Sequence, residues 1–262
     1  MKILVVGDPH GEVKEIKEIE IDLIFITGDL GKADLARKFA FENAKRRREG
    51  LPELKEDKKH IKKVHMQIHN STIDVLRYYK KIAPIYTLQG NVGIPNTSDV
   101  KKNKIKYRLK LPNTKCEIDS MKNIHLVKNV LRNLNGLRVG FLEYFTDNCW
   151  IKEFLEKDKK RIKNAKEETT KVKRVLNRFG NLNILVCHQP PYGVLDKVTA
   201  KYNPPKNWIG KHAGSKIILN YIKKKQPRYV FCGHIHEGKG KKRIGKTEVY
   251  NLGVADYKII NL

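Results

Sequence analysis

Cysteine is scarce in this sequence, and the few cysteines lie far apart. Four occur among 262 residues, and no two of them form a C-x-x-C pair. This spacing argues against a zinc knuckle and against the disulfide-dense scaffold of a small secreted protein. We interpret Cys116, Cys149, Cys187 and Cys232 as small buried hydrophobic residues.

Long hydrophobic runs are also missing. The longest apolar runs, such as ILVV and LIFI, have the length of a strand and fall far short of the ~20 residues that a membrane span requires. The chain runs from Met1 directly into KILVVGD, without the charged and apolar regions of a signal peptide. We therefore expect no membrane partner and a cytoplasmic location.

Acidic residues are few relative to basic ones. The chain has 28 Asp and Glu against 55 Lys and Arg, which gives a formal net charge of +27. Such a balance favours anionic partners such as RNA, DNA or polyphosphates. A thermophilic or AT-rich source would also enrich lysine, although thermophilic proteins usually gain glutamate together with it. Nucleic-acid contact is a prediction with this alternative open, and the sequence does not indicate an oligomeric state.

Five short apolar runs end in a glycine or a polar residue. They lie at 2–8, 22–29, 83–91, 183–191 and 228–236. Continuous apolar runs of this length are typical of strands that are buried on both faces of a sheet. Open α/β sheets keep their sites at the carboxyl ends of the strands, which is where each of these runs carries a polar side chain.

Other segments have helical or hairpin patterns. Apolar residues at three- and four-residue spacing predict a helical pair at 33–48 and 58–82, and one or two more helices over 150–178. An Asn-Gly pair within 125–144 predicts a hairpin, and the last 17 residues predict two more strands. We find no repeat or linker, so we predict one α/β domain over 1–262 with a helical insertion at about 33–82.

The polar residues at the strand ends form a set of candidate metal ligands. Each alone is a common turn or capping residue, but the ordered series Asp-x-His, Gly-Asp, Gly-Asn, His and Gly-His-x-His is specific. Oxygen and imidazole donors in this mixture suit Mn²⁺, Fe or Zn²⁺. In a two-metal site, Asp29 is the natural bridging ligand. The candidates are Asp8, His10, Asp29, Asn91, His188, His234 and His236.

With these motifs, the chain resembles the calcineurin-like metallophosphoesterases from Gly7 to Gly253. The segments HQPPYGVLDKV, GKHAGSKIIL and QPRYVFCGHIHEGKG are most similar to the Icc-related archaeal phosphoesterases. The resemblance implies a four-layer α/β/β/α sandwich. It also implies two divalent ions, with Mn²⁺ favoured and Fe, Zn²⁺ or Ni²⁺ as alternatives.

The resemblance also implies how the ligands divide between the two ions. The ions would activate a hydroxide that attacks the phosphate in line, without a covalent enzyme intermediate. Asp29 would bridge both ions. The first ion would be held by Asp8, His10, Asp29 and His236, and the second by Asp29, Asn91, His188 and His234.

The chain departs from the family pattern after Asn91. The family usually has a histidine there that protonates the leaving group or steadies the phosphate, whereas this chain has Val92. His212, in the segment GKHAGS, is a candidate substitute, and the following GSKII predicts a helix N-terminus that could meet a phosphate. Local packing of His212 is the alternative.

Three functions remain open at this point. The first is hydrolysis of phosphodiesters of nucleotides or nucleic acid, the second is a phosphomonoesterase, and the third is a catalytically weak nucleic-acid-binding protein on the same fold. The remaining histidines are expected at the surface or in packing, and the basic runs on solvated faces. Several aromatic residues could stack on bases or pack internally. These histidines are His60, His65, His69 and His125, and these aromatic residues are Tyr107, Tyr192, Tyr202 and Trp208.

Overall fold

A computed structural model of the chain describes residues 1–17, 20–92, 97–154, 159–202 and 204–262. The strands are β1 (Lys2–Val6), β2 (Leu23–Ile26), β3 (Ile85–Thr87), β4 (Ile124–Leu126), β5 (Val130–Leu134), β6 (Leu137–Leu142), β7 (Ile184–Cys187), β8 (Tyr229–Cys232), β9 (Gly240–Ile244), β10 (Thr247–Asn251) and β11 (Tyr257–Asn261). The helices are α1 (Asp34–Arg48), α2 (Lys58–Lys80), α3 (Thr97–Tyr107), α4 (Thr114–Ser120), α5 (Asn148–Phe154), α6 (Lys159–Phe179) and α7 (Lys216–Lys225).

The strands form two sheets. A five-stranded sheet has the order β11-β1-β2-β3-β4, and a six-stranded sheet has the order β5-β6-β7-β8-β10-β9. In the first sheet β1 to β4 run parallel, and in the second β6, β7, β8 and β10 do. Parallel strands place their carboxyl ends on the same side, so each sheet presents several strand ends at one edge.

Alternate residues of the central strands face opposite sides of their sheet. Ile3 and Val5 of β1 pack between the sheets, together with Phe141 of β6. Leu4 and Val6 face the other way, toward α2. This alternation follows from the two-residue period of a strand.

Helices cover the outer faces of both sheets. Buried residues of α2 form one outer core with the first sheet, and buried residues of α6 and α7 form another with the second sheet. The order of layers is therefore helix, sheet, sheet, helix, which confirms the fold that the sequence predicts. Helix α2, the second helix of the expected insertion, thus belongs to one of the two outer helical layers.

Local sequence explains several elements. In α2 the apolar residues Ile61, Ile68, Val75 and Leu76 share a buried stripe at helical spacing, and the Asp57 side chain caps the helix by accepting from the backbone N–H of His60. In the predicted hairpin, β5 and β6 flank an Asn-Gly turn in which both residues have positive φ.

Some expectations need correction. Cys187 and Cys232 are buried as predicted, but Cys149 is only half-buried and Cys116 is exposed. The basic run at 238–246, which includes the edge strand β9, lies on a solvated face as expected, since residues 239–243 are exposed. Two of its lysines are paired with carboxylates: Lys239 with Asp256, and Lys241 with Glu248 at 3.0 Å. Within the described ranges, no helix is long and apolar enough to cross a membrane.

Candidate metal centre

The seven candidate ligands lie at the carboxyl ends of strands from both sheets. Asp8, Asp29 and Asn91 follow β1, β2 and β3, and His188 and His234 follow β7 and β8. Backbone hydrogen bonds tie these loops together: His10 N–H donates to the Asp29 carbonyl at 2.8 Å, and Gly233 N–H donates to the His188 carbonyl at 3.0 Å. The site thus spans the seam between the two sheets.

Three of these residues have a left-handed backbone. His10, Asp29 and His234 have φ of 48°, 43° and 63°. This region is unfavourable for residues with a Cβ, and it persists only where surrounding contacts hold the backbone in place. The loops are therefore constrained to aim these side chains at a common point.

Glycines before the ligands allow close approach of the loops. A Cβ at Gly28 would lie 2.6 Å from His188 Nδ1, one at Gly90 would lie 2.3 Å from Asp29 Oδ1, and one at Gly233 would lie 2.3 Å from Asp8 Oδ1. Real Cβ atoms are not found at such distances. The loops can therefore pack this closely only because these positions are glycines.

Four side chains form a first donor group around His10 and His236. Their Nε2 atoms are 3.3 Å apart. Asp8 Oδ2 lies 3.3 Å from His236 Nε2, and Asp29 Oδ2 lies 3.6 Å from His10 Nε2. Asp8 is also fixed by hydrogen bonds from the Thr27 hydroxyl at 2.6 Å and the His234 backbone N–H at 2.5 Å.

A second donor group surrounds Asn91. Its Oδ1 lies 2.7 Å from both His188 Nε2 and His234 Nδ1. His188 Nδ1 is 3.0 Å from the Thr27 carbonyl, which can only accept, so Nδ1 carries a proton and donates it. Burial opposes the charged form of His188, but the carboxylates of Asp8 and Asp29 outweigh it and raise its pKa, which favours a second proton on Nε2 that is donated to Asn91 Oδ1. A metal ion held by Nε2 would take the place of that proton.

One oxygen of Asp29 lies between the two groups. Asp29 Oδ2 is 3.6 Å from His10 Nε2 and 3.7 Å from His188 Nε2. The other oxygen, Oδ1, accepts from the Val92 backbone N–H at 2.6 Å, which fixes the orientation of the carboxylate. Val92 therefore contributes to the site through its backbone.

Burial and charge set the protonation of the site. Burial lowers the pKa of His10 to about 4 against the opposing effect of Asp8, and burial also places the pKa of His234 well below its usual range. Burial raises the pKa of Asp29 to about 6. For Asp8, burial favours the neutral form, but the charge of His188 and hydrogen bonds from His236 and Thr27 hold its pKa below the usual range. His10 and His234 are thus neutral at pH 7, with lone pairs available to a cation.

These donors fit divalent metal ions. Two subsets of ionisable side chains have donor atoms within 4.8 Å of one another: Asp8, His10 and His236 in one, and Asp8, Asp29 and His188 in the other. The buried Nδ1 of His10 has no hydrogen-bond partner within the described part of the chain. Lone pairs that converge in this way repel one another unless a cation or a proton lies between them, and N and O donors of this kind suit Mn²⁺, Fe or Zn²⁺.

Sequence reasoning missed two charged residues at this site. Arg37, near the start of α1, places Nη2 3.3 Å from His10 Nε2. Glu143, which follows β6, accepts from the backbone N–H groups of Gln89 and Gly90, each at 2.8 Å, and so fixes the loop that carries Asn91. The Glu in FLEY after a predicted strand was the available signal for Glu143, while Arg37 lies in a basic amphipathic helix that gives no such signal.

His212 lies outside the ligand set. Its Nδ1 is 2.7 Å from Oδ1 of Asp196, whose Oδ2 accepts from the backbone N–H groups of Gly193 and Gly214 at 2.9 Å. Since the ionised carboxylate can only accept, His212 Nδ1–H donates and Nε2 points elsewhere. Among the described residues, no hydrogen bond, ion pair or ring contact joins His212 to the seven candidates, but Ala213 packs in one cluster with Ile235, between His234 and His236.

The helix N-terminus after His212 does not fit the phosphate-binding expectation. Ser215 caps α7 by accepting from the Ile218 N–H at 3.2 Å, and its hydroxyl donates to Asp147 Oδ2 at 2.6 Å. Both Ser215 and Asp147 are buried. A phosphate here would have to displace a capping hydroxyl and meet a carboxylate, so this helix N-terminus is not suited to bind one.

The other histidines make packing contacts. His65 and His69 are buried and lie within hydrogen-bonding distance of the Pro112 carbonyl and the Thr114 hydroxyl, respectively. His60 packs on Phe39, and His125 stacks on Tyr86 with ring centroids 4.5 Å apart.

Of the aromatic residues considered for base stacking, Trp208 and Tyr107 pack against apolar clusters. Tyr192 lies beside His212, with ring centroids 5.4 Å apart. Tyr202 is exposed, and its ring centroid lies 6.0 Å from that of His236. Tyr202 is therefore the one of these four that borders the candidate metal centre on an open side.

Comparison with known proteins agrees with this arrangement. The family model of the calcineurin-like phosphoesterases matches residues 1–238, so the chain belongs to this family. Membership of this family supports metal-dependent hydrolysis of phosphate esters as the activity, and members of the family usually bind two divalent metals. The similarity to the Icc-related subgroup stays a prediction.

Solved structures show the same fold. Matches include 20 chains. One of them, a crystal structure, is 15% identical, with a TM-score of 0.58, over 99% of this chain and 94% of that chain. At this level of identity the likeness concerns the fold alone. No curated protein matches the chain.

Proposed function

We propose that the protein hydrolyses phosphodiesters of nucleotides or nucleic acid, with two divalent ions held by the seven side chains and Mn²⁺ as the preferred ion. The observation that carries the proposal is the position of Asp29 Oδ2, 3.6 Å from His10 Nε2 and 3.7 Å from His188 Nε2. A carboxylate oxygen placed between two sets of N and O donors is the arrangement that a bridging ligand requires.

The ions, when bound, supply an activated water nucleophile and neutralise charge on the phosphate oxygens. The side chains determine where this happens. Asp8, His10 and His236 would hold one ion, and Asn91, His188 and His234 the other, with Asp29 shared. Thr27 and Val92 would keep the carboxylates in place through the hydrogen bonds described above.

Val92 favours diesters over monoesters. A histidine at this position would add a proton donor and positive charge next to the phosphate, and valine supplies neither. A monoester carries close to two negative charges at neutral pH. Its rate of hydrolysis therefore falls more, when the histidine is missing, than that of a singly charged diester. Esters with good leaving groups need little protonation, so their rate of hydrolysis falls least.

The pair of Asp196 and His212 is our candidate for the missing proton donor. The buried Asp196 carboxylate orients the imidazole through Nδ1 at 2.7 Å, so that Nε2 is the atom left to serve the reaction. The His212 side chain is 38% exposed, which leaves it accessible to a substrate. In this role His212 would act as general acid and Asp196 as the residue that positions it.

Arg37 supports a second candidate function, phosphomonoester hydrolysis. Its guanidinium group lies beside His10, and a guanidinium can donate two parallel hydrogen bonds to a phosphate. This added positive charge would suit a doubly charged monoester and compensate in part for Val92. The two functions therefore make opposite predictions about substrate preference.

A matched pair of substrates distinguishes them. Bis(p-nitrophenyl) phosphate and p-nitrophenyl phosphate share a leaving group and differ in phosphate charge. We expect the diester to be cleaved with the higher kcat/KM in Mn²⁺, and activity on both to disappear with EDTA. A higher kcat/KM for the monoester would favour the phosphatase, and metal-independent cleavage would contradict the proposal as a whole.

A further inference from the structure

A basic groove lies outside the metal centre, at the beginning of α2. It has a volume of about 570 Å³ and is lined by Lys58, Lys59, Lys62, Arg108, Leu109 and Lys110. Leu109 is buried and belongs to an apolar cluster with Ile61 and Leu111. The floor of the groove is thus packed in place, while the five cationic side chains surround it.

The cations of the groove are not paired with carboxylates in the part of the chain that the structure describes. Among the described residues, no ion pair within 4.0 Å involves any of the five, although lysines elsewhere pair with Asp or Glu. The adjacent acid, Asp57, is used as the cap of α2. Five positive charges around one concavity repel one another, so an anionic ligand with several charges would be stabilised there.

The groove is connected to the metal centre through α2. Farther along this helix, the Ser71 hydroxyl accepts from the backbone N–H of Lys32, close to the Asp29 loop. Lys62 and Lys58 precede Ser71 by nine and 13 residues, which at 1.5 Å per residue places them about 14 Å and 20 Å away along the helix axis. The groove is thus separated by about 14–20 Å along α2 from the residue that contacts the loop after Asp29.

We propose that this groove binds the sugar-phosphate backbone of single-stranded nucleic acid. Lys58 and Lys62 are four residues apart and share one face of α2, so they present a row of charges to a chain of phosphates. A row of cations beside an open groove suits a flexible strand of successive phosphates, and anionic vesicles serve below as the test of a lipid surface. Binding in the groove does not depend on the proposed hydrolysis.

Charge reversal with a matched control tests the proposal. The groove variant is Lys58→Glu/Lys59→Glu/Lys62→Glu, and the control is Lys163→Glu/Lys171→Glu/Lys173→Glu on exposed positions of α6, with the same change in net charge. Binding of a fluorescent 20-nucleotide single-stranded RNA is measured by anisotropy in EDTA, at ~50 to 200 mM salt. We expect the groove variant to lose at least ~10-fold more affinity than the control, and the slope of log K against log salt to fall by about 2.

Further measurements keep the result interpretable. The melting temperature reports folding, and Arg108→Glu/Lys110→Glu tests the opposite wall of the groove should the triple variant unfold. Hydrolysis of bis(p-nitrophenyl) phosphate should be unchanged in the groove variants, so that loss of RNA binding and failure of the proposed activity are separate results. Equal losses in the groove and control variants, or binding to anionic vesicles but not to RNA, would overturn the proposal.

Discussion

The metal centre and the basic groove are two sites of different construction in one molecule. At the metal centre, donors from five strand ends are mostly buried and fixed by backbone hydrogen bonds, as at Asp8 and Asp29. In the groove, Lys58, Lys59 and Lys62 are exposed, and none of them forms an ion pair with another described residue. The first site depends on the position of each atom, and the second depends on the number of charges.

This difference has an energetic basis. A misplacement of ~1 Å at a reacting centre can reduce the rate by ~10²-fold. A surface cation on a flexible stem adjusts to its partner and contributes only modestly. We therefore expect single changes at the metal centre to have large effects and single changes in the groove to have small ones.

The largest effect is expected for Asp29→Asn. This change removes the bridging charge while preserving shape, and we expect turnover of bis(p-nitrophenyl) phosphate to fall ~10³-fold or more, with loss of bound metal. Initial rates and metal analysis after Mn²⁺ reconstitution measure both. Asp34→Asn, at an exposed carboxylate in the first turn of α1, is the control. Retention of a tenth of the activity would show that Asp29 is not a bridging ligand.

A single methyl group tests the rigidity of the centre. In Gly90→Ala, the added Cβ would lie 2.3 Å from Asp29 Oδ1 at φ +80°, whereas in Gly50→Ala it meets nothing within 4 Å at φ +68°. Both variants bear backbone strain of about 1 kcal/mol or more, but only the first displaces a ligand. We expect ~10²-fold lower turnover for Gly90→Ala alone. Similar kinetics in the two variants would mean that the loop tolerates movement.

His212 should affect catalysis without affecting metal content. We expect His212→Ala to lower turnover by roughly 10²-fold and Asp196→Asn by less, since the latter leaves the imidazole present but poorly oriented. The acid limb of the pH–rate profile and the dependence on leaving-group pKa report a proton donor, which a packing role would not change. Unchanged turnover would remove His212 from the reaction, and loss of metal would require a new ligand assignment.

The buried carboxylate gives the metal-free protein a pH-dependent stability. The pKa of Asp29 is raised by burial from 3.8 in the unfolded chain to about 6. The contribution of this carboxyl to the free energy of unfolding is therefore complete below pH 3.8. It is lost as the pH rises through 6, by on the order of 2–3 kcal/mol. In EDTA, Asp29→Asn should be more stable than wild type at pH 8, with the difference narrowing toward pH 5. Denaturant unfolding at both pH values measures it, and a constant difference would contradict this origin.

The smallest effect is expected for one lysine of the groove. Lys62→Gln should weaken binding of single-stranded RNA by about 3–10-fold and reduce the salt slope by about 0.7, as for the loss of one phosphate contact. Lys163→Gln serves as the control. A loss near 10²-fold from this one residue would mean that the groove is a shaped site with fixed contacts, and the contrast with the metal centre would weaken.

The sequence by itself determined the central strands and the residues at their ends. These features are local: an apolar run of strand length, a glycine and a ligand-type side chain lie within a few residues of one another, and the family pattern joins them. The Asn-Gly hairpin and the main helices followed from the same short-range rules. The short helices α3 and α4 and the edge strand β9 were missed, because their polar and basic sequences carry weak periodicity.

Tertiary structure alone decided which distant residues support the site. Glu143 binds the loop at Gly90 across 53 positions of the chain, and Asp196 orients His212 across 16. Arg37 reaches His10 only because α1 begins next to the Asp29 loop, and the groove exists only because Arg108 and Lys110 lie opposite α2. Such contacts depend on how two sheets and their helices pack, and no short-range pattern in the sequence encodes that packing.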